Sequence, residues 1–134
     1  MARYALVIGV GENQAPFRSL TKPIGDAQAI AHILQNQGDF RVELLTQSKQ
    51  LQYKALVTAI QTFVQQRAAG DEALIYYTGH GFPLVKDFGE TEAFLAPVDC
   101  SVSVENAQIT AQRNGLSLAS LNRFVAKASF SNLV

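Results

Sequence analysis

The sequence predicts an α/β domain built on a parallel sheet. Three observations carry that expectation. Strand-like and helix-like stretches alternate along the chain, two of the strands are continuous apolar runs, and glycine-bearing loops follow those two runs. Strands that alternate with amphipathic helices return to a sheet in parallel. A strand covered on both faces reads as unbroken apolar sequence instead of an alternation.

Tyr4 to Val10 is the first such run, and Gly9 and Gly11 loosen the backbone into a loop that contains Pro16. Pro23 suits the first turn of a helix, where its missing N–H has no partner to lose. Ile24, Ala27, Ile30, Ala31 and Leu34 follow at helical spacing, and Gly38 stops the run. Val42 to Leu45 is a second, shorter strand. Ser48 is the expected N-cap of the next helix, with Leu56, Ile60, Phe63, Val64 and Arg67 along one face and Gly70 at its end. Ala73 to Tyr77 is a third buried strand. Gly79-His80-Gly81-Phe82-Pro83 is a loop by composition, a short apolar piece runs from Ala93 to Ala96, and residues 99–115 read as an irregular excursion. Ser117 opens a third helix with Leu118, Leu121, Phe124 and Val125 inward. Phe130 to Val134 reads as the opening of a fourth strand. A terminal strand without its return connection leaves an open edge, so further polypeptide is expected to complete the domain.

The length fits one domain. Lysine plus arginine equals aspartate plus glutamate, at 11 each, which gives no electrostatic case for nucleic acid or an anionic membrane as a partner. No stretch has the apolar length of a membrane span, and Ala5-Leu6-Val7-Ile8 is too short and too β-branched for a signal sequence. A cytoplasmic location is the expectation. Cys100 is the one cysteine, which excludes an intrachain disulfide framework and a multi-cysteine zinc site. Glu90, Glu92 and Asp99 have no EF-hand spacing and read as a solvated loop, so no metal and no cofactor is assigned. Gly9-x-Gly11 begins as a dinucleotide fingerprint would, but Gln14 stands where the third glycine belongs and Pro16 delays the helix.

Open parallel sheets bind ligands outside the carboxyl ends of their strands, where both Gly11 to Arg18 and Gly79 to Pro83 fall. His80, set between two glycines, is a candidate general acid or base, and the N–H of Gly81 a candidate oxyanion donor. A bare Gly-His-Gly is more often the mark of a loop histidine that bonds its surroundings. Cys100 reads as a small, partly buried residue after Asp99, with no cation or helix N-terminus in the sequence to activate it.

Several stretches, in order, carry a family resemblance. They are Tyr4 to Gly11, Leu20-Thr21-Lys22-Pro23-Ile24-Gly25-Asp26-Ala27, Gly38 to Thr46, Asp71 to Phe82, Ala93-Phe94-Leu95-Ala96-Pro97-Val98-Asp99, and Leu116 to Phe124. Together they resemble the caspase-like cysteine peptidases, and most of all the prokaryotic orthocaspases. The resemblance implies a three-layer sandwich, a mostly parallel sheet flanked by helices, incomplete after the start of its fourth strand. Residues 1–134 would be the N-terminal, large-subunit part of the domain. It also implies a Cys-His dyad, with His80 as acid/base residue and Gly81 in the oxyanion hole. Asp26 corresponds to an aspartate that receives an Arg or Lys side chain of the substrate. Read without the resemblance, Asp26 is a first-turn carboxylate favoured by the helix dipole. The family's histidine precedes its cysteine by about 50 residues, and no cysteine follows Cys100. The chain is therefore expected to be inactive alone. Its implied partners are a peptide or protein substrate and either the C-terminal remainder of the domain or a small subunit. The alternative is a non-catalytic interaction or regulatory module, or one half of a split peptidase.

Overall fold

The computed structural model describes residues 2–128 and 132–133. Its centre is a four-stranded parallel sheet of order β2-β1-β3-β9, made of β1 (Arg3–Gly9), β2 (Arg41–Leu45), β3 (Glu72–Thr78) and β9 (Asn132–Leu133). The mixed α/β class and the parallel central sheet are as the sequence predicts. β9 pairs with the start of β3, Glu72 opposite Asn132 and Ala73 opposite Leu133. The rest of the expected fourth strand, residues 130–131 and 134, lies outside the described residues.

β1 is buried on both faces because its side chains alternate between two helical layers. Ala5 and Val7 meet Ala27 and Ala31 of α1 (Lys22–Asn36) on one side. Small residues there let the helix sit close. A side chain at Gly9 would put its Cβ 2.6 Å from the Pro23 carbonyl oxygen and 2.8 Å from the Ala27 methyl. On the other side Leu6, Ile8 and Val10 meet Leu56, Ile60, Phe63 and Val64 of α2 (Tyr53–Gln65). Leu121, Phe124 and Val125 of α3 (Leu118–Ala126) complete that layer without full burial. Burying each large apolar side chain contributes about 1.5–3 kcal/mol. Among the described residues no helix is long and apolar enough to cross a membrane.

Pro23 enters α1 in its first turn, and the Ser117 hydroxyl accepts from the Ser120 N–H at 3.1 Å to cap α3, both as expected. The start of α2 differs from expectation. Ser48 begins a short 3₁₀ turn, Ser48–Gln50, and its hydroxyl donates to Glu12. The first N–H of α2, that of Tyr53, instead donates to Asp99 Oδ1 at 2.8 Å. The cap is supplied from a distant segment, so no local motif announces it. After α1 the left-handed residue is Asp39 (φ 56°) and not Gly38. Gly38 is needed for space, since a Cβ there would lie 2.9 Å from the Phe40 ring.

The segment after β3 is more ordered than its composition suggests. The expected loop at Gly79–Pro83 leads directly into a strand, β4 (Gly81–Val85), antiparallel to β5 (Thr91–Leu95), which pairs in turn with β8 (Leu116–Ser117). Pro83 is tolerated because β4 is the edge of this three-stranded sheet, where a missing N–H costs no ladder bond. The expected irregular excursion is a hairpin, β6 (Ser101–Glu105) and β7 (Gln108–Arg113). Its Ser-Val-Ser-Val alternation was a strand signal, and Val102 and Ile109 pack on a core of Phe82, Phe94, Ala96 and Cys100. The turn residues Asn106 and Ala107 have φ of 51° and 62°, as a two-residue hairpin turn requires, yet Ala107 replaces the glycine that normally marks one.

A left-handed alanine costs about 1–2 kcal/mol, whereas a glycine adds about 0.4–1 kcal/mol of unfolded-state entropy to be lost. Ala107→Gly is therefore expected to stabilise the chain by roughly 0.5–1 kcal/mol, read as a higher denaturation midpoint with an unchanged slope in urea.

Candidate active site

The carboxyl ends of β1 and β3 lie side by side, Gly9 opposite Thr78, and the Val10 N–H extends the ladder to the Thr78 carbonyl at 2.9 Å. The loop after β1 and the turn after β3 therefore leave the sheet together. Gly79 makes that turn with φ of 152°, and a Cβ on it would lie 3.0 Å from both Tyr77 Oη and the Val10 carbonyl oxygen. Only glycine fits both the dihedral and the space.

His80 follows, and its main chain is held from two directions. The Tyr77 hydroxyl donates to the His80 carbonyl at 2.9 Å and lies 3.3 Å from the Ala96 carbonyl. The Ala96 N–H donates to the same His80 carbonyl at 3.0 Å. Burial pushes the Tyr77 phenol far above its ordinary value, so it remains a donor at every physiological pH.

The His80 ring is half-buried, and its Nε2 lies 2.6 Å from the main-chain carbonyl of Arg18. A carbonyl only accepts, so in the neutral ring Nε2 carries the proton and Nδ1 keeps the lone pair. Among the described residues Nδ1 has no hydrogen-bond partner. Phe17 packs on the ring with centroids 5.3 Å apart, and Phe17, Phe82 and Phe94 continue as a tier with spacings of 5.5 and 5.4 Å. Asn13, from the same loop, donates Nδ2 to the Ala96 carbonyl at 3.1 Å and the Pro97 carbonyl at 3.4 Å.

Gly81 begins β4. The Ala96-to-His80 bond makes that pair the hydrogen-bonded station of the antiparallel ladder, so Gly81, opposite Leu95, occupies the next, non-bonded one. Its N–H therefore turns away from β5. Asp26 is exposed on the second turn of α1, not the first, and the first turn holds no acidic residue. Among the described residues Asp26 has no ion pair or hydrogen bond. The helix start just before it lies against the carboxyl end of β1, where Pro23 and Ile24 abut Gly9 and Gly11.

The sequence profile of the caspase domain matches residues 2–127. The chain belongs to the caspase-domain family. The crystal structure of protein GSU0716 from Geobacter sulfurreducens shares the fold with a TM-score of 0.74 at 18% identity, over 99% of this chain and 49% of that one. The chain thus spans about half the length of that solved relative. Among curated proteins, none matches it.

Within this caspase-domain chain the thiol of Cys100 is not exposed. It lies at 0% accessibility in the Phe82–Phe94 cluster, and burial, aided by the Asp99 carboxylate, pushes it up to about 11. Asp99 itself is occupied, with Oδ1 accepting from Tyr53 and Oδ2 accepting from Asn114 Nδ2 at 3.2 Å. Glu92 accepts from the Ser117 hydroxyl at 2.6 Å and pairs with Lys86 at 3.1 Å, and these two contacts lower its pKa. Among the described residues no three acidic, histidine or cysteine side chains converge as metal ligands would.

The structure adds Phe17, the Arg18 carbonyl and the Tyr77 hydroxyl to the surroundings of His80. Phe17 had one visible signal, as the sole aromatic residue between Gly11 and Leu20. A main-chain acceptor has none. Two outcomes are expected from this arrangement. Native protein should leave Cys100 unmodified by iodoacetamide at mildly alkaline pH, with full alkylation after denaturation, both read by intact mass. Tyr77→Phe should lower stability by about 1 kcal/mol, measured as a drop in the urea midpoint.

Proposed function

We propose that this chain is the histidine-bearing, large-subunit portion of a caspase-like cysteine endopeptidase, and that the nucleophilic thiol comes from polypeptide outside residues 1–134. The observation that carries this reading is the His80 ring, protonated on Nε2 by its contact with Arg18 and open on Nδ1 at the carboxyl edge of the sheet. Nδ1 would take the proton of an incoming thiol. The thiolate would add to the scissile carbonyl, the Gly81 N–H would donate to the oxyanion, and the imidazolium would return its proton to the leaving amine. Water, deprotonated by the same ring, would then hydrolyse the thioester. Cys100 is unsuited to the role, being buried and held as the thiol.

Asp26, exposed and unpaired among the described residues, would provide part of a pocket for an Arg or Lys side chain through charge-assisted bonds. On this reading the fold is a three-layer sandwich, incomplete after the start of its fourth strand, and the C-terminal remainder or a small subunit completes the site. The balanced charge gives no electrostatic case for a nucleic-acid or membrane partner, and a cytoplasmic location is part of this reading. The buried thiol is equally compatible with a second reading, in which the chain is a non-catalytic module or one half of a split peptidase.

The test compares this chain with the full product of its gene on peptides bearing Arg, Lys or Asp before the scissile bond. The chain alone is expected to show no turnover. The full product should cleave after Arg and Lys, losing on the order of 10²–10⁴ in rate on His80→Ala and its Arg/Lys preference on Asp26→Ala. A full product that cleaves none of these peptides would favour the non-catalytic module; His80-dependent turnover by the chain alone would contradict the reading.

A further inference from the structure

We infer that Phe17 is a positioning residue for His80, docking the loop between Gly11 and Leu20 so that the Arg18 carbonyl meets Nε2. The loop is closed at its base, where the Leu20 N–H donates to the Gly11 carbonyl at 2.7 Å. Its tip is held by few main-chain bonds, among them the Phe17 N–H to the Gln14 carbonyl at 3.0 Å. Gln14, Ala15, Pro16, Arg18 and Ser19 are all exposed, and Phe17 alone among them is half-buried. The position of the Arg18 carbonyl therefore depends on where the neighbouring phenyl ring lands.

The ring lands on a rigid shelf. Phe82 and Phe94 stack with planes 11° apart and are 6% and 7% accessible. Gly115 leaves room for this pair, since a Cβ there would crowd it at 3.1 Å from Phe82 Cζ and 3.2 Å from Phe94 Cδ2. Phe17 bridges the shelf and the imidazole, with its centroid 5.5 Å from Phe82 and 5.3 Å from His80. It is one side chain that touches both the ring to be oriented and the framework that fixes it. Asn13 ties the loop lower down, at Ala96 and Pro97, and its N–H reaches Ser19 Oγ within the loop at 3.4 Å, while Phe17 is the tip side chain that reaches the aromatic framework. Without the ring, Nε2 loses a fixed acceptor, and the neutral imidazole distributes its proton between both nitrogens.

The consequence is measurable on this chain with no activity assay, because His32 and His80 are its only histidines. His32 lies on α1 beside Asn36 and serves as an internal reference. Ring nitrogen shifts at a pH where both imidazoles are neutral should show His80 as a single Nε2–H tautomer. Phe17→Ala should convert it to a tautomer mixture while His32 is unchanged, Phe17→Leu should do the same through loss of the flat face, and Phe17→Tyr should keep the native signature. Retention of the single tautomer in Phe17→Leu overturns the inference, and it decides the matter if the alanine variant does not fold.

In the full gene product the role rests on the peptidase reading. There Phe17→Ala is expected to reduce kcat by about tenfold to a hundredfold, the scale of a misplaced catalytic group, with KM nearly unchanged. A shifted tautomer together with full activity in His80→Ala would remove the peptidase reading and leave the positioning role standing. Loss of activity in His80→Ala with neither effect in Phe17→Ala would remove the positioning role alone.

Discussion

The pairing of β1 with β3 is the constraint on which the rest of the molecule depends. Seven consecutive residues of each strand are in register, from Arg3 opposite Glu72 to Gly9 opposite Thr78. Parallel pairing brings both carboxyl ends to one edge, so the loop bearing Phe17 and Arg18 and the turn bearing His80 start from adjacent backbones. A shift of register by one residue would exchange the faces of Leu6 and Val7 and remove both helical layers at once. Core packing and site geometry therefore share one determinant.

That shared origin explains what could be read in the sequence. The strands legible from it are those whose burial makes them continuous, Tyr4 to Val10 and Ala73 to Tyr77, because two covered faces leave no polar alternation. Pro23 and Ser117 were legible because they act locally, within one turn of their own helices. The α2 cap was not, since Asp99 reaches Tyr53 across 46 positions. β4 was hidden by Pro83, whose penalty vanishes at a sheet edge, and the β6–β7 hairpin by an alanine in a glycine's place. At the candidate site, His80 and Gly81 stood out as side chain and spacing. What orients His80 is mostly main chain, and a carbonyl carries no letter in a sequence. Asp26 was legible as a residue, although its place on the second turn of α1 weakens the helix-dipole account of it.

The chain's own thiol and its histidine are kept in different environments. Cys100 sits in the aromatic cluster beneath the small sheet, where a charged sulfur is disfavoured by burial and by Asp99. His80 stands at the rim of the same cluster, with Phe17 between solvent and Phe82. The cluster acts as a structural base for the imidazole without offering it a nucleophile. Membership of the caspase-domain family is thus compatible with a buried thiol at Cys100.

Tyr77 belongs to two parts of the molecule at once. Its ring packs with the core of Leu6, Ile8 and Ile60, while its hydroxyl fastens the carbonyl of His80. The backbone that carries the imidazole is thereby fastened to the same core that α3 covers without full burial, so a substitution made for packing at position 77 is also a substitution at the edge of the candidate site.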